Sequence, residues 1–88
     1  MRRISFEGTA FAEFTAWSRD DKRIFQKIAT LLEECRRTPF HGTGKPEALK
    51  HGAYHGYWSR RITEEHRLIY RVTDEDVFIA GCKGHYGQ

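Results

Sequence analysis

Hydrophobic and polar positions change rhythm along the chain. Residues 2–6, RRISF, alternate and set Ile4 and Phe6 on one face, which predicts a short first strand. From Thr9 to Trp17 the period lengthens, with Phe11, Phe14 and Trp17 recurring at helical spacing. A second helix follows, with Ser18 as its expected N-cap and Asp21 in the capping-box position. Its apolar residues Ile24, Phe25, Ile28, Leu31, Leu32 and Cys35 form one stripe, and Pro39 ends it after Arg36-Arg37. The short connection makes the two helices an antiparallel hairpin whose apolar faces are core.

Residues 40–56, FHGTGKPEALKHGAYHG, have no clear period and read as a loop with Pro46 and four glycines. Long irregular loops in compact domains tend to be functional. Alternation returns in Tyr57–Ile62, Arg67–Val72 and Val77–Cys82, three strands separated by the turns Thr63-Glu64-Glu65 and Thr73-Asp74-Glu75-Asp76. The expected fold is α+β, a single domain over residues 1–88. Its N-terminal strand and two-helix hairpin accompany a mainly antiparallel sheet, with both helices on one face and the other free to be polar.

Strand alternation then sorts the side chains. Trp58, Arg60 and Ile62 oppose Tyr57, Ser59 and Arg61; Leu68, Tyr70 and Val72 oppose Arg67, Ile69 and Arg71. If the more apolar sets face the helices, Arg61 and Arg67 reach the open face. A three-residue turn, Thr63–Glu65, puts Arg61 directly opposite Arg67. That juxtaposition costs up to about 1 kcal/mol, and an anion such as phosphate would relieve it. A two-residue Glu64-Glu65 turn would send the two arginines to opposite faces.

Charge adds to this picture. The net charge is only +3, but Lys45, Lys50, Arg60, Arg61, Arg67 and Arg71 concentrate in one stretch with Tyr54, Tyr57, Trp58 and Tyr70. Cations interleaved with aromatic faces suit RNA; a solvated surface would carry the charges with fewer rings. Glu47, between Lys45 and Lys50, reads either as a base kept charged by its neighbours or as a solvated loop residue. His85 stands near the chain end, His41 has no evident partner, and glycines around His51 and His55 argue against a helical metal pair. His66 falls on the apolar face with Leu68, as a core or edge residue. Cys35 and Cys82 read as buried thiols. No apolar run approaches the roughly 20 residues of a membrane span, and MRRISFEGTAF has no apolar signal-peptide core, so the cytoplasm is the expected compartment.

Beyond these readings, TPFHGTGKPEALKH, GYWSRRITEEHRLIYRVTDEDVFIAGC and the terminal HY resemble the YoeB/Txe branch of the RelE-like bacterial toxins. The strings RRTPF, GKPE, LKH, WSRRITEEHRL and HY keep the family's order and nearly its spacing, from about Asp21 to Tyr86. The resemblance implies a microbial-ribonuclease-like fold and a toxin of a type II toxin–antitoxin system that cleaves mRNA in the ribosomal A site. It matches Glu47 to the family's general base, Arg67 to its phosphate-binding arginine, His85 to its general acid and Tyr86 to a residue shaping the active site. Lys50 and Arg61 match basic residues that bind or stabilise the RNA.

In the implied reaction the RNA's own 2′-OH is the nucleophile, so no metal or cofactor is called for. The implied partners are a cognate antitoxin of the YefM/Axe kind, the ribosome and mRNA, with a homodimer left open and no membrane. The second reading is a non-catalytic module of the same fold that binds RNA, the ribosome or a protein partner. This chain departs from relatives at Lys83-Gly84, where they more often carry arginine and an aromatic residue, and in two residues after Tyr86. Its loop from His51 to Gly56 is about one residue longer than in close relatives.

Overall fold

In chain order the elements are β1 (Arg3–Phe6), α1 (Ala10–Asp20), α2 (Lys22–Arg37), β2 (Glu47–Ala48), a 3₁₀ turn (Gly52–Tyr54), β3 (Trp58–Arg61), β4 (Arg67–Val72) and β5 (Asp76–Gly81). They come from a computed structural model that describes residues 1–84. The expectations placed on His85 and Tyr86 lie outside the described residues.

The strands form one sheet in the order β1-β5-β4-β3-β2. β1 runs parallel to β5, and the other neighbours are antiparallel. One core joins Ala10, Trp17, Ile28, Leu31, Leu32 and Cys35 from the helices to Ile62, Leu68, Tyr70, Val77, Ile79 and Cys82. The α+β architecture with helices on one sheet face is therefore the one read from the periodicity. The opposite face is less purely polar than expected. Ile69 alternates onto it opposite Ser59, yet it is fully buried and stands outside the main core.

The helix junction differs from the expectation. α1 continues past Trp17 to Asp20, so Ser18 is helical, and its hydroxyl donates to the Thr15 carbonyl at 2.6 Å. A residue inside a helix cannot cap the next one. The cap is Asp21, the one residue between the helices, extended at φ −161° and ψ 101°. Its carboxylate accepts from the N–H groups of Arg23 (3.0 Å) and Ile24 (3.3 Å), two donors that the first turn cannot satisfy internally. Phe14 and Phe25 then stack across the pair at 4.7 Å.

β2 was also not anticipated, because two residues show no period. Both cysteines are buried and unbridged. Burial pushes the Cys35 thiol up to about 11 and the Cys82 thiol up to about 12, which makes both poor nucleophiles. No helix among the described residues is long and apolar enough to cross a membrane.

The capping assignment predicts unequal costs for two substitutions. Asp21→Ala should lose about 1 kcal/mol, whereas Ser18→Ala should stay within about 0.5 kcal/mol. Urea midpoints of the two variants measure the difference.

Candidate active site

The hairpin of β3 and β4 takes the three-residue turn. Arg61 pairs with Arg67, and the Ile62 N–H donates to the His66 carbonyl at 2.9 Å. The two arginines share the open face, as that register requires. Their backbone N–H groups point away from each other: Arg61 donates to the Gly44 carbonyl (2.7 Å) and Arg67 to the Gly84 carbonyl (3.1 Å). The pair is thus of the non-hydrogen-bonded kind, in which opposite side chains lie closest. Arg61 is exposed and Arg67 half-buried. Nη1 of Arg67 donates to the carbonyls of Thr63 (2.7 Å), Glu64 (3.2 Å) and His66 (3.2 Å). These bonds tie the guanidinium to the turn beneath it and leave its Nε–Nη2 edge outside that turn contact.

Glu47 is a strand residue rather than a loop residue. It pairs with Ser59 on β3 and is exposed, so it lies on the same face as Arg61, two residues along the strand. Arg67 is two strands away from it, about 10 Å across the sheet. Lys50, also exposed, lines a shallow cleft of about 320 Å³ with Glu47, Ala48, Leu49 and His51. The glycines upstream explain how the chain arrives there. Gly44 has φ +87°, and a Cβ on it would sit 2.8 Å from the Arg61 carbonyl oxygen, so only glycine lets the loop approach β3 this closely. Lys45 follows at φ +51°, a costly conformation for a side-chain-bearing residue, and Pro46 then leads into the strand.

The loop is fixed from below by Arg60, which is 0% exposed. It falls in the helix-facing set, as alternation required, but its task was missed. Nε donates to the Tyr70 hydroxyl (3.1 Å), Nη1 to Glu34 and the Thr43 carbonyl, and Nη2 to the carbonyls of Thr38 and His41. Tyr70 in turn donates to the Pro39 carbonyl at 2.6 Å. Glu34 also accepts from the Thr43 N–H (2.8 Å) and hydroxyl (3.0 Å). Burial pushes the Glu34 carboxyl up, but Thr43 and the Arg60 guanidinium outweigh it and hold the group below the ordinary carboxylate range. The available signal was a charged residue in a set that must be buried, since such a residue needs a partner.

The chain leaving β5 is held from the other side. The Cys82 carbonyl accepts from Trp17 Nε1 (3.0 Å), and its N–H donates to Glu13 (2.8 Å). Gly84 donates its N–H to Nδ1 of His66 (2.8 Å) as well as accepting from Arg67. His66 is half-buried edge-on to Trp17 at 4.9 Å, the packing role expected of it. Glu64 and Glu65 are exposed turn residues.

A sequence model of the family described as "YoeB-like toxin of bacterial type II toxin-antitoxin system" matches residues 6–86. The chain belongs to this family. It is 57% identical over 74 residues to Toxin YoeB of Escherichia coli (strain K12), covering 84% of this chain and 87% of that protein. Among solved structures, the YoeB dimer from Staphylococcus aureus superposes with a TM-score of 0.87 at 43% identity, over 97% of this chain and 98% of that one. A YoeB–YefM complex from the same organism gives 0.85 at 40% identity, over 98% and 99%. The family match spans both helices, strands β2 to β5, the arginine pair, Glu47 and the sequence positions of His85 and Tyr86.

Because Glu34 is held below its ordinary range, its contribution to stability is present above that range and is lost as pH falls through its folded-state value. Glu34→Ala should therefore cost about 2 kcal/mol at pH 7, less than for a fully buried pair because Glu34 is part-exposed. The gap from wild type should narrow below about pH 4, where the unfolded carboxyl takes up its proton while the folded one still resists it. Urea titrations of both proteins at pH 7 and pH 3 provide the check.

Proposed function

We propose that this chain is a ribosome-dependent endoribonuclease, acting in the cytoplasm on mRNA in the ribosomal A site. The observation that carries the reading is the placement of two chain segments on either side of the arginine pair. Gly44 is bonded to the Arg61 backbone, and three residues later the chain presents Glu47. Gly84 is bonded to the Arg67 backbone, and the next residue in sequence is His85. The double cation thus lies between a segment that leads to the base candidate and a segment that, in sequence, leads to the acid candidate.

The chemistry follows from those groups. Glu47 takes the proton of the RNA 2′-OH, whose oxygen attacks the adjacent phosphorus. Negative charge grows on the non-bridging oxygens, and Arg67 stabilises it through the edge not used by the turn, with Arg61 and Lys50 contributing. The P–O5′ bond breaks as His85 gives its proton to the leaving oxygen; imidazole suits this because it changes charge near neutral pH. Tyr86 helps to shape the site. The products are a 2′,3′-cyclic phosphate, or the 3′-phosphate formed from it, and a 5′-hydroxyl. DNA, lacking the nucleophile, does not react.

The partner reading follows the same relatives. The Staphylococcus aureus complex with YefM supports an antitoxin of that kind, whose disordered segment would fold onto this domain. The dimer from the same organism supports self-association.

Mapping transcript ends during translation tests the enzymatic reading. Wild type should generate 5′-hydroxyl ends. Glu47→Ala, Arg67→Ala and His85→Ala should each lose about 10²–10⁴ in rate, with combined losses well short of the product. Lys50→Ala and Arg61→Ala should weaken RNA binding and flatten its salt dependence. Absence of new 5′-hydroxyl ends with ribosome binding retained would instead support the non-catalytic module.

A further inference from the structure

We infer that His66 is a positioning residue: its Nδ1 fixes Gly84, the residue that directly precedes the acid candidate His85 in sequence. The inference rests on the ribonuclease reading for its functional consequence, but the bond itself lies wholly within the described residues. The Gly84 N–H donates to Nδ1 at 2.8 Å. Nδ1 must then carry a lone pair, so the ring is held with its proton on Nε2. That nitrogen lies 3.7 Å from a Glu65 carboxylate oxygen, too far for a hydrogen bond. Trp17 sets the plane of the ring by edge contact at 4.9 Å, and Trp17 is itself anchored to the Cys82 carbonyl.

The arrangement has a reason in the local sequence. Gly84 has φ +82°, and a glycine one residue ahead of a functional side chain leaves the backbone many alternatives. Two hydrogen bonds remove that freedom: Gly84 gives its N–H to the His66 ring and takes one from the Arg67 backbone. Only the first depends on a side chain, so it is the one that a substitution can delete while leaving the ladder of β3 and β4 in place. His66 lies next to Arg67 in sequence and beside Gly84 in space. One residue therefore ties the phosphate-binding strand to the segment that bears the acid.

The test uses the full chain with His66→Leu, which keeps an apolar filler against Trp17 but has no acceptor. It is compared with His66→Asn, whose Oδ1 stands near the position of Nδ1. Amide hydrogen exchange at Gly84, read by NMR in a Glu47→Gln background, should lose protection at least about tenfold in the leucine variant. The asparagine variant should recover it. On programmed ribosomes, His66→Leu should lower kcat about 10- to 100-fold, the scale of a small misplacement, with little change in KM, and His66→Asn should restore most of the rate. In a His85→Ala background the same leucine substitution should cost less than about twofold, because its effect runs through the acid. Unchanged Gly84 exchange in His66→Leu overturns the inference, as does an undiminished rate or an equal loss with and without His85. A wild-type chain that does not cleave mRNA overturns the ribonuclease reading itself, and the exchange measurement still reports on the bond.

Discussion

A guanidinium with no access to water is the constraint around which this small fold is arranged. Arginine has five N–H donors and stays charged at any pH the fold survives, so burying it is tolerable only if every donor finds an acceptor. Arg60 meets that condition with the Tyr70 hydroxyl, the Glu34 carboxylate and the carbonyls of Thr38, Thr43 and His41. Those acceptors come from the last turns of α2, the segment after it and the centre of β4. One side chain thereby substitutes for the hydrophobic core that a segment with three threonine or histidine positions and two glycines could not build. Among the described residues no buried side-chain polar atom lacks a partner.

Fixing that segment has a direct consequence on the other face of the sheet. The same stretch that Arg60 holds from below runs on through Gly44 into the two-residue strand bearing Glu47. A loop of this length would ordinarily sample many conformations. Here its first half is immobilised by charge-assisted hydrogen bonds and its second half by pairing with β3. Neighbouring residues of one strand thus do opposite work. Arg60 faces inward and organises the loop, while Arg61 faces outward and meets Arg67. The alternation of β3 separates a buried structural cation from an exposed one with no intervening residue.

Much of this arrangement was legible in the residues. Period-two and helical spacing gave the strands and helices; the sequence left the turn open between two and three residues, and the observed three-residue turn is what sets Arg61 opposite Arg67. The misread parts have physical causes. Ser18 resembled a cap because a serine ahead of an acidic residue is a good local signal, but the first helix ran on through it, and only the extended backbone at Asp21 settles which residue caps. Glu47 sat in what looked like a loop because a two-residue edge strand depends on its partner and not on its own pattern. Ile69 showed that an open face still needs an apolar floor. The His66–Gly84 bond joins residues far apart in sequence, and no local pattern carries such a contact.

The arginine pair itself argues for a site rather than an accident of packing. Two cations placed in the close, non-hydrogen-bonded register lose up to about 1 kcal/mol relative to a neutral pair, in a domain whose total stability is of the order of 5–10 kcal/mol. Arg67 offsets part of that cost through its bonds to the turn carbonyls of Thr63, Glu64 and His66, whereas the exposed Arg61 has no such bonds to the turn. Each arginine also gives its backbone N–H outward to a glycine carbonyl, so Gly44 flanks the pair on one side and Gly84 on the other. Under the ribonuclease reading, a phosphate between the two guanidinium groups would relieve that repulsion.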